Sequence, residues 1–522
     1  KIEMPDFPKN DTEHSDVSAA PLANMARNLS ANDPLYEKQW HYHEQCPGSI
    51  NLPKAWEKEE GNPNVLVAVM DQWIDHTHPD LAANMWVNRA EQDGLPNVDD
   101  DGNGYVDDIH GWNFLSTTDY PKEIGWAAEG DKGHGTHVAG TVAAVNHNGI
   151  GVGGVAGGSG KGDGVKIMSC QVFSGNSSAT VASRAKAYEY AANNGACILQ
   201  CSFGLSGGML TSDGAFDLSY GVEKVGLDYF FNYRQPYSPV DKNFAIFAAG
   251  NDGYHLAGYP AAHRDYIAVS AFGPDYLPAV YTNYGPGSNI SAPGGDSSIN
   301  RTPESNRAQV LSTVPSDCSA YNTDYGYMEG TSMACPHVSG VVALGLSYAR
   351  KLGKEFTYDE FLAMIYTSVN NIDYYIETSS KVSNGINFDL TPYWQQMGTG
   401  AIDTWRLFMQ IEGTPSLVAK TGESVKLSLN EYMGGAAANI TYLGVEVDED
   451  AYAALGLEEA PFVKNGKLNI RCTKNGSAKI RIRAIAGGPV LGTDGVMGGT
   501  EFSKEISILS REAGMAKNGG WL

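Results

Sequence analysis

The sequence predicts an α/β domain with a three-layer, parallel-sheet architecture, followed by a small all-β domain of the antiparallel sandwich kind. Three observations carry this expectation. Near-continuous apolar runs, VLVAVMD (65–71), VKIMSCQVF (165–173), ACILQCSF (196–203), FAIFAAG (244–250) and YIAVSAF (266–272), end at or beside polar residues or glycine. Parallel strands buried on both faces read this way. Helix-like segments such as ATVASRAKAYEYAANNG lie between them, which puts helices on both faces of one sheet. After about residue 412 the apolar period changes to two, in SVKLSLN, ANITYLGVEV, KLNIRCT, AKIRIRAI and KEISILS. Asn465-Gly466 and Asn475-Gly476 are hairpin-turn signals there, and GGPVLGTDGVMGG reads as a long loop. The expected organisation is an arm or leader remnant over 1–32, the α/β domain over 33–411 and the β-domain over 412–522.

Composition narrows the function. The 522 residues are 42% hydrophobic, enough for a large core, and carry a formal charge of −24. So acidic a surface repels phosphate backbones and attracts divalent cations, so no nucleic-acid partner is expected. No apolar run reaches the roughly eighteen residues of a membrane span. The chain starts at Lys1 and reads as a processed form. Its seven cysteines are odd in number and show no tandem spacing, which gives neither a disulfide framework nor a zinc pattern. Cys170, Cys197 and Cys201 lie in strand-like runs and are expected to be buried small hydrophobes.

The stretch MEGTSMACPHVSG (328–340) places Ser332 just ahead of an apolar, helix-like run. A serine there is an N-cap or a nucleophile. A nucleophile needs a base for its proton, a group to orient the base, and donors for the oxyanion. The chain offers one candidate for each: His134 in DKGHGTHVAGTVAA, Asp71 closing VLVAVMD, and Asn251 closing FAAGN. Strand carboxyl ends are where such sheets bind ligands, so Asp71 and Asn251 are well placed. Taken singly, each is also an ordinary turn former or helix-terminus residue. Their joint occurrence is far more specific.

In chain order, VAVMDQWIDHTHPDL, GHGTHVAGTVAA, FAAGNDG and GTSMACPHVSG resemble the corresponding segments of subtilisin-like serine proteases, the subtilases. NDPLYEKQW, IGVGGVA, YPAAHRDYIAVSA, YTNYGPGSNISAPG and GTGAIDTW match as well, so the resemblance covers roughly residues 33–411. It implies a catalytic domain in which Ser332 is the nucleophile, His134 the general acid and base, and Asp71 the carboxylate on the imidazole. Asn251 and the Ser332 N–H would form the oxyanion hole. His137 is expected to have a packing role. An extended polypeptide substrate would pair with Ser202, Phe203 and Gly204. Ala248, Ala249 and Gly250 would wall the primary pocket above Gly258, favouring large apolar side chains, with Asp252 near the rim as the alternative that would admit a basic group instead. The resemblance also implies export to the cell envelope or exterior, compatible with an anchor at a removed N-terminus, and an inhibitory propeptide absent from this chain. Two departures stand out. Subtilases usually have a small residue and glycine after the catalytic aspartate, whereas this chain has Gln72-Trp73; a left-handed backbone there would be strained by Trp73. Such strain would favour the alternative of a disabled scaffold that binds peptides or proteins. The second departure is a long insertion, GLSGGML to PVDKN (204–243), which would narrow the cleft.

Calcium is the expected cofactor. NVDDDGNGYVDD (97–108) sets Asp99, Asp101 and Asn103 on alternate positions, with Tyr105, Asp107 and Asp108 completing the candidate ligands. The twelfth position in that register is His110, which excludes a full EF-hand, and a register starting at Asn97 remains open. A second set is implied by the resemblance alone: Asp33, Asp80 and Asn148, with carbonyls of Val145, Ile150 and Val152.

Overall fold

The computed structural model describes residues 33–43, 46, 48–115, 133–174, 177–299, 308–317, 323–370, 372–376, 380–413, 416–429, 432–433, 440–487 and 499–511. The arm over 1–32, Cys318 and the loop residues 488–498 lie outside them. Among the described residues the apolar runs become strands β1 (Leu66–Asp71), β3 (Lys166–Gln171), β4 (Ile198–Cys201), β5 (Phe244–Ala248) and β6 (Ile267–Phe272), joined by β2 (Gly111–Asn113) and β7 (Ile290–Pro293). The hairpin β8 (Val310–Thr313) and β9 (Tyr325–Met328) stands apart as its own two-stranded sheet. With β10 (Val369–Asn370) and β11 (Ala401–Ile402), the main sheet has the order β10-β11-β7-β6-β5-β4-β1-β3-β2. All its pairings are parallel except β10 with β11.

Alternation along β1 shows why the strands read as unbroken apolar runs. Val67 and Val69 face one core cluster, with Val138, Val142, Val338 and Val341. Leu66, Ala68 and Met70 face the other, with Tyr188, Ala191, Leu227 and Phe230. The first face is covered by α1 (His134–Ala143) and α5 (Thr331–Lys351), the second by α2 (Val181–Asn193) and α4 (Gly221–Asn232). Three layers result. Cys170, Cys197 and Cys201 are buried among these side chains.

The insertion is mainly part of a layer. It folds as α3 (Asp213–Ser219) and α4, and α4 lies so close to α2 that a Cβ on Gly226 would sit 2.6 Å from Ala185 Cα. Its start, near Gly207 and Gly208, packs against Tyr254.

Helices α6 (Tyr358–Thr367) and α7 (Thr404–Glu412) lead to the C-terminal strands β12 (Ser416–Lys420), β13 (Ser424–Ser428), β14 (Ile440–Glu446), β15 (Phe462–Lys464), β16 (Lys467–Arg471), β17 (Gly476–Ala486) and β18 (Thr500–Arg511). They form two sheets, β12-β18-β17-β14 and β13-β16-β15. Their pairings are antiparallel apart from β12 with β18, which is parallel. Asn465 and Gly466, at φ 52° and 66°, make the expected two-residue turn between β15 and β16. Asn475-Gly476 makes no hairpin: β16 and β17 belong to different sheets, and Asn475 has no positive φ. The chain crosses between sheets there.

Candidate active site

Asp71 is the last residue of β1, nearly fully buried, at the carboxyl edge of the sheet. His134 is the first residue of α1, following Gly133 at φ 73°. Its Nδ1 lies 2.7 Å from Asp71 Oδ1, which also accepts the Gln72 N–H at 2.7 Å. Gln72 closes the corner by accepting the His134 N–H on Oε1 at 3.2 Å. The helix start is pressed against the segment after Asp71, because a Cβ on Gly135 would meet the carbonyl oxygens of Gln72 at 2.5 Å and Trp73 at 2.9 Å. Trp73 is buried, and it is absent from the non-glycine residues at positive φ among the described residues. The expected strain at this position is therefore corrected: the backbone is ordinary and the indole is packed.

Ser332 occupies the second residue of α5, where a backbone N–H has no acceptor within the helix. Its Oγ donates to the Ser202 carbonyl at 3.2 Å, and Ser202 Oγ donates back to the Ser332 carbonyl at 2.7 Å. That carbonyl is available because Pro336, four residues on, has no N–H to donate to it. Pro336 thus frees the bond that ties the predicted substrate strand to the nucleophile's helix.

Asn251 lies after β5, and its Oδ1 accepts the Thr331 N–H and the Thr331 hydroxyl, each at 2.8 Å. With the oxygen fixed, Nδ2 is the group left to face outward. A Cβ built on Gly330, at φ 148°, would lie 3.5 Å from both Asn251 Nδ2 and the Ser332 nitrogen. Both donors therefore border one small space that only glycine leaves open. An anionic oxygen placed there would meet two hydrogen-bond donors at a helix N-terminus.

Beyond β4, Ser202 is buried and Gly204 exposed, while the Leu205 N–H donates to the Tyr259 carbonyl at 2.7 Å. Ala248 and Ala249 are buried and Gly250 has φ 112°. A Cβ on Gly258 would lie 2.1 Å from the Leu205 carbonyl oxygen, so close backbone packing alone requires glycine there. Asp252 is already engaged, accepting the Gly207 N–H at 2.8 Å and Asn283 Nδ2 at 3.2 Å.

His137 is fully buried, with Nε2 3.0 Å from the Val310 carbonyl and 3.1 Å from that of Gly326. It joins α1 to β8 and β9. Burial pushes its pKa down to about 3.

The acidic loop folds around its own amides. Asp99 accepts the N–H groups of Asn103 and Gly104, Asp101 those of Asn103, and Asp107 that of Asn97. Asp108 is buried beneath, accepting Asn88, Asn103 and Tyr190 donors, and burial pushes its pKa up to about 6 despite them. The Tyr105 ring packs against Trp112, Phe114 and Tyr190. Glu91, Asp99 and Asp101 present carboxylate oxygens within 4.8 Å of one another, a donor set suited to a hard divalent cation. Glu91 comes from the short helix Arg89–Asp93 and has no counterpart in the sequence expectation; nothing in its spacing marks it.

Asp33, Asp80 and Asn148 also converge. Asp33 accepts the His147 and Asn148 N–H groups, and Asp80 accepts Asn148 Nδ2 at 2.6 Å and the Val152 N–H at 2.9 Å. Burial raises both carboxyls, that of Asp80 to about 7. Two buried carboxylates held by neutral amides fit a cation. Val145 donates to the Asp80 carbonyl and Ile150 to Asn148 Oδ1, so their N–H groups brace the loop.

The model of the subtilase family, Peptidase S8, matches residues 62–388. The chain belongs to the subtilase family. Halolysin of Haloferax mediterranei is 32% identical over 318 residues, covering 61% of this chain and 47% of halolysin. Thermitase of Thermoactinomyces vulgaris is 27% identical over 319 residues, covering 61% of this chain and 86% of thermitase. The extracellular basic protease of Dichelobacter nodosus is 28% identical, with 63% and 50% covered. The chain thus spans about half the length of two of these curated relatives. A solved protease of Pseudoalteromonas arctica superposes with a TM-score of 0.51 at 27% identity, over 73% of this chain and 99% of its own.

Proposed function

We propose that this subtilase is a serine endopeptidase that hydrolyses polypeptides through an acyl-enzyme, with Ser332 as nucleophile, His134 as general base and then acid, and Asp71 holding the imidazole. The observation that carries this reading is the 2.7 Å contact between His134 Nδ1 and Asp71 Oδ1. A carboxylate there fixes the Nδ1–H tautomer and leaves Nε2 to take a serine proton. As Ser332 Oγ attacks a peptide carbonyl, its proton passes to Nε2 and the carbonyl oxygen becomes anionic. Asn251 Nδ2 and the Ser332 N–H receive that oxygen. The imidazolium then protonates the leaving amine, and water repeats the sequence to release the acid.

The substrate lies extended along Ser202, Phe203 and Gly204. Its side chain before the scissile bond enters between Ala248, Ala249 and Gly250, above Gly258, which favours large apolar residues. Structural calcium would be held by Glu91, Asp99 and Asp101, with Asn103, Asp107 and Asp108 supporting, and by Asp33, Asp80 and Asn148. There it would supply positive charge against the repulsion among these carboxylates. Residues 33–411 form the catalytic domain and 412–522 the appended β-domain. Export fits the name of the extracellular basic protease among the relatives. A propeptide supplied with the precursor would restrain activity until processing.

A fluorophosphonate probe tests the reading. It should label Ser332 in the folded, calcium-loaded chain and fail on Ser332→Ala and His134→Ala. A folded wild-type chain that takes no label would overturn it.

A further inference from the structure

We infer that Asn283 is the positioning residue of the oxyanion site, a role that rests on the proposed serine-protease chemistry. Asn251 sits in a segment without regular structure, 249–254, whose backbone is tied by the Ala249 N–H to the Val269 carbonyl and by the Gly253 N–H to the Tyr281 carbonyl. Between those ties the fully buried Asn283 side chain supplies further bonds. Asn283 Oδ1 accepts the N–H groups of Asp252 and Tyr254, both at 3.0 Å. Its Nδ2 donates to the Ala249 carbonyl at 3.1 Å and to Asp252 Oδ2 at 3.2 Å. Its backbone N–H donates to the Gly250 carbonyl at 2.9 Å. The bonds grip the chain on both sides of Asn251.

Gly250 shows how close the grip is. At φ 112°, a Cβ on it would lie 2.3 Å from Asn283 Nδ2. Thr331 then sets the carboxamide itself by binding Asn251 Oδ1. Asn283 places the Asn251 backbone, and Thr331 sets the rotamer. Asn283 in turn is held by Ser270 Oγ, which donates to its carbonyl at 2.8 Å. It touches neither nucleophile nor base in these bonds, so its effect on turnover runs through Asn251.

A double-mutant cycle tests this. Asn283→Ala should lower kcat on the order of 10-fold to 100-fold, as small misplacements of catalytic groups do, with KM little changed. In an Asn251→Ala background the same substitution should lower kcat by less than about twofold, because the group it positions is gone. Equal losses in both backgrounds, or a loss confined to KM, would overturn the inference. Melting curves on each variant establish that it is folded. If Asn283→Ala does not fold, Asn283→Asp decides. It keeps the acceptor for Asp252 and Tyr254 but turns an oxygen toward Asp252, so kcat should fall and Asp252→Asn should recover part of it. No recovery would count against the role. Fluorophosphonate labelling of the wild type reports separately on the protease reading, so the two failures are distinguishable.

Discussion

Trp73, two residues after Asp71, shows what one residue's backbone decides. It is only 9% exposed, and its carbonyl lies against the start of α1. With no positive φ to relieve, glycine gains nothing here and removes a packed indole. Trp73→Gly is expected to destabilise by about 3 kcal/mol, the scale of large-to-small substitutions in cores, and to lower kcat by loosening the Asp71–His134 corner. Thermal melts and turnover measure both; higher activity would revive the strained-loop idea. The four residues proposed for chemistry were legible in the sequence, because their types are demanded by acyl transfer and each sits at a strand end or helix start. Thr331, Pro336 and Asn283 were not. Asn283 and Thr331 act through bonds to residues 29 to 80 positions away, and Pro336 by freeing a carbonyl for a residue 130 positions from Ser332, which no local pattern marks.

At the scale of elements, the strand runs were legible because burial on both faces leaves no polar alternation to confuse them. The acidic loop was legible by composition, but Glu91 joined it through a helix whose placement only the fold supplies. Chelating calcium should lower the melting temperature of Ser332→Ala protein, since an ion bound only by the folded state contributes about 2.7 kcal/mol at a hundredfold excess over Kd. Glu91→Ala should blunt that response. A chelator-indifferent melt, with no metal found in the protein, would reduce the loop to an acidic turn. A second consequence arises where α1, α5 and the segment at His41 meet. His337 Nε2 lies 2.8 Å from His41 Nδ1, and both rings, like His137, are fully buried. Burial lowers all three, His337 to about 4, His137 to about 3 and His41 well below the usual value. The fold therefore holds them neutral while the unfolded chain protonates them below about pH 6.5. Stability is lost as pH falls from 6.5 toward 4, by up to roughly 1.4 kcal/mol per pH unit for each histidine. Urea melts of Ser332→Ala in saturating calcium should show this slope, and His41→Gln should remove about a third of it. A flat profile would mean the rings are hydrated or paired in solution.

The whole molecule is tied together by groups whose partners lie far apart in sequence. One core cluster runs from Val67 and Val338 to Ile482 and Ile508 without a break. Asn289 Nδ2 donates to the Ala486 carbonyl at 3.0 Å, Thr500 Oγ1 to that of Tyr266 at 3.0 Å, and Phe502 packs edge-on against Tyr366. The period-two strands were readable as a separate texture, but their docking onto α6 was not, because Lys504 looks like any outward-facing residue of an alternating strand. It is instead buried to 4% exposure. Its Nζ meets Thr367 Oγ1 at 2.7 Å, Gln410 Oε1 and the Tyr432 carbonyl, with no carboxylate among these partners. Burial pushes its pKa down to about 7. The folded chain thus favours the neutral amine, whereas the unfolded chain keeps its proton up to about pH 10.4. The lysine's contribution is therefore least favourable below pH 7 and improves as pH rises from 7 toward 10, by up to roughly 1.4 kcal/mol per unit. Lys504→Met keeps most of the stem and cannot titrate. The stability difference, wild type minus Lys504→Met, should rise with pH across that window in the Ser332→Ala background. A difference independent of pH would show that the three oxygens hold the charged ammonium as well as water does. A single cooperative unfolding transition in both proteins would show that the β-strands and the catalytic sheet share one core, and two separated transitions that Lys504 bridges independently stable units.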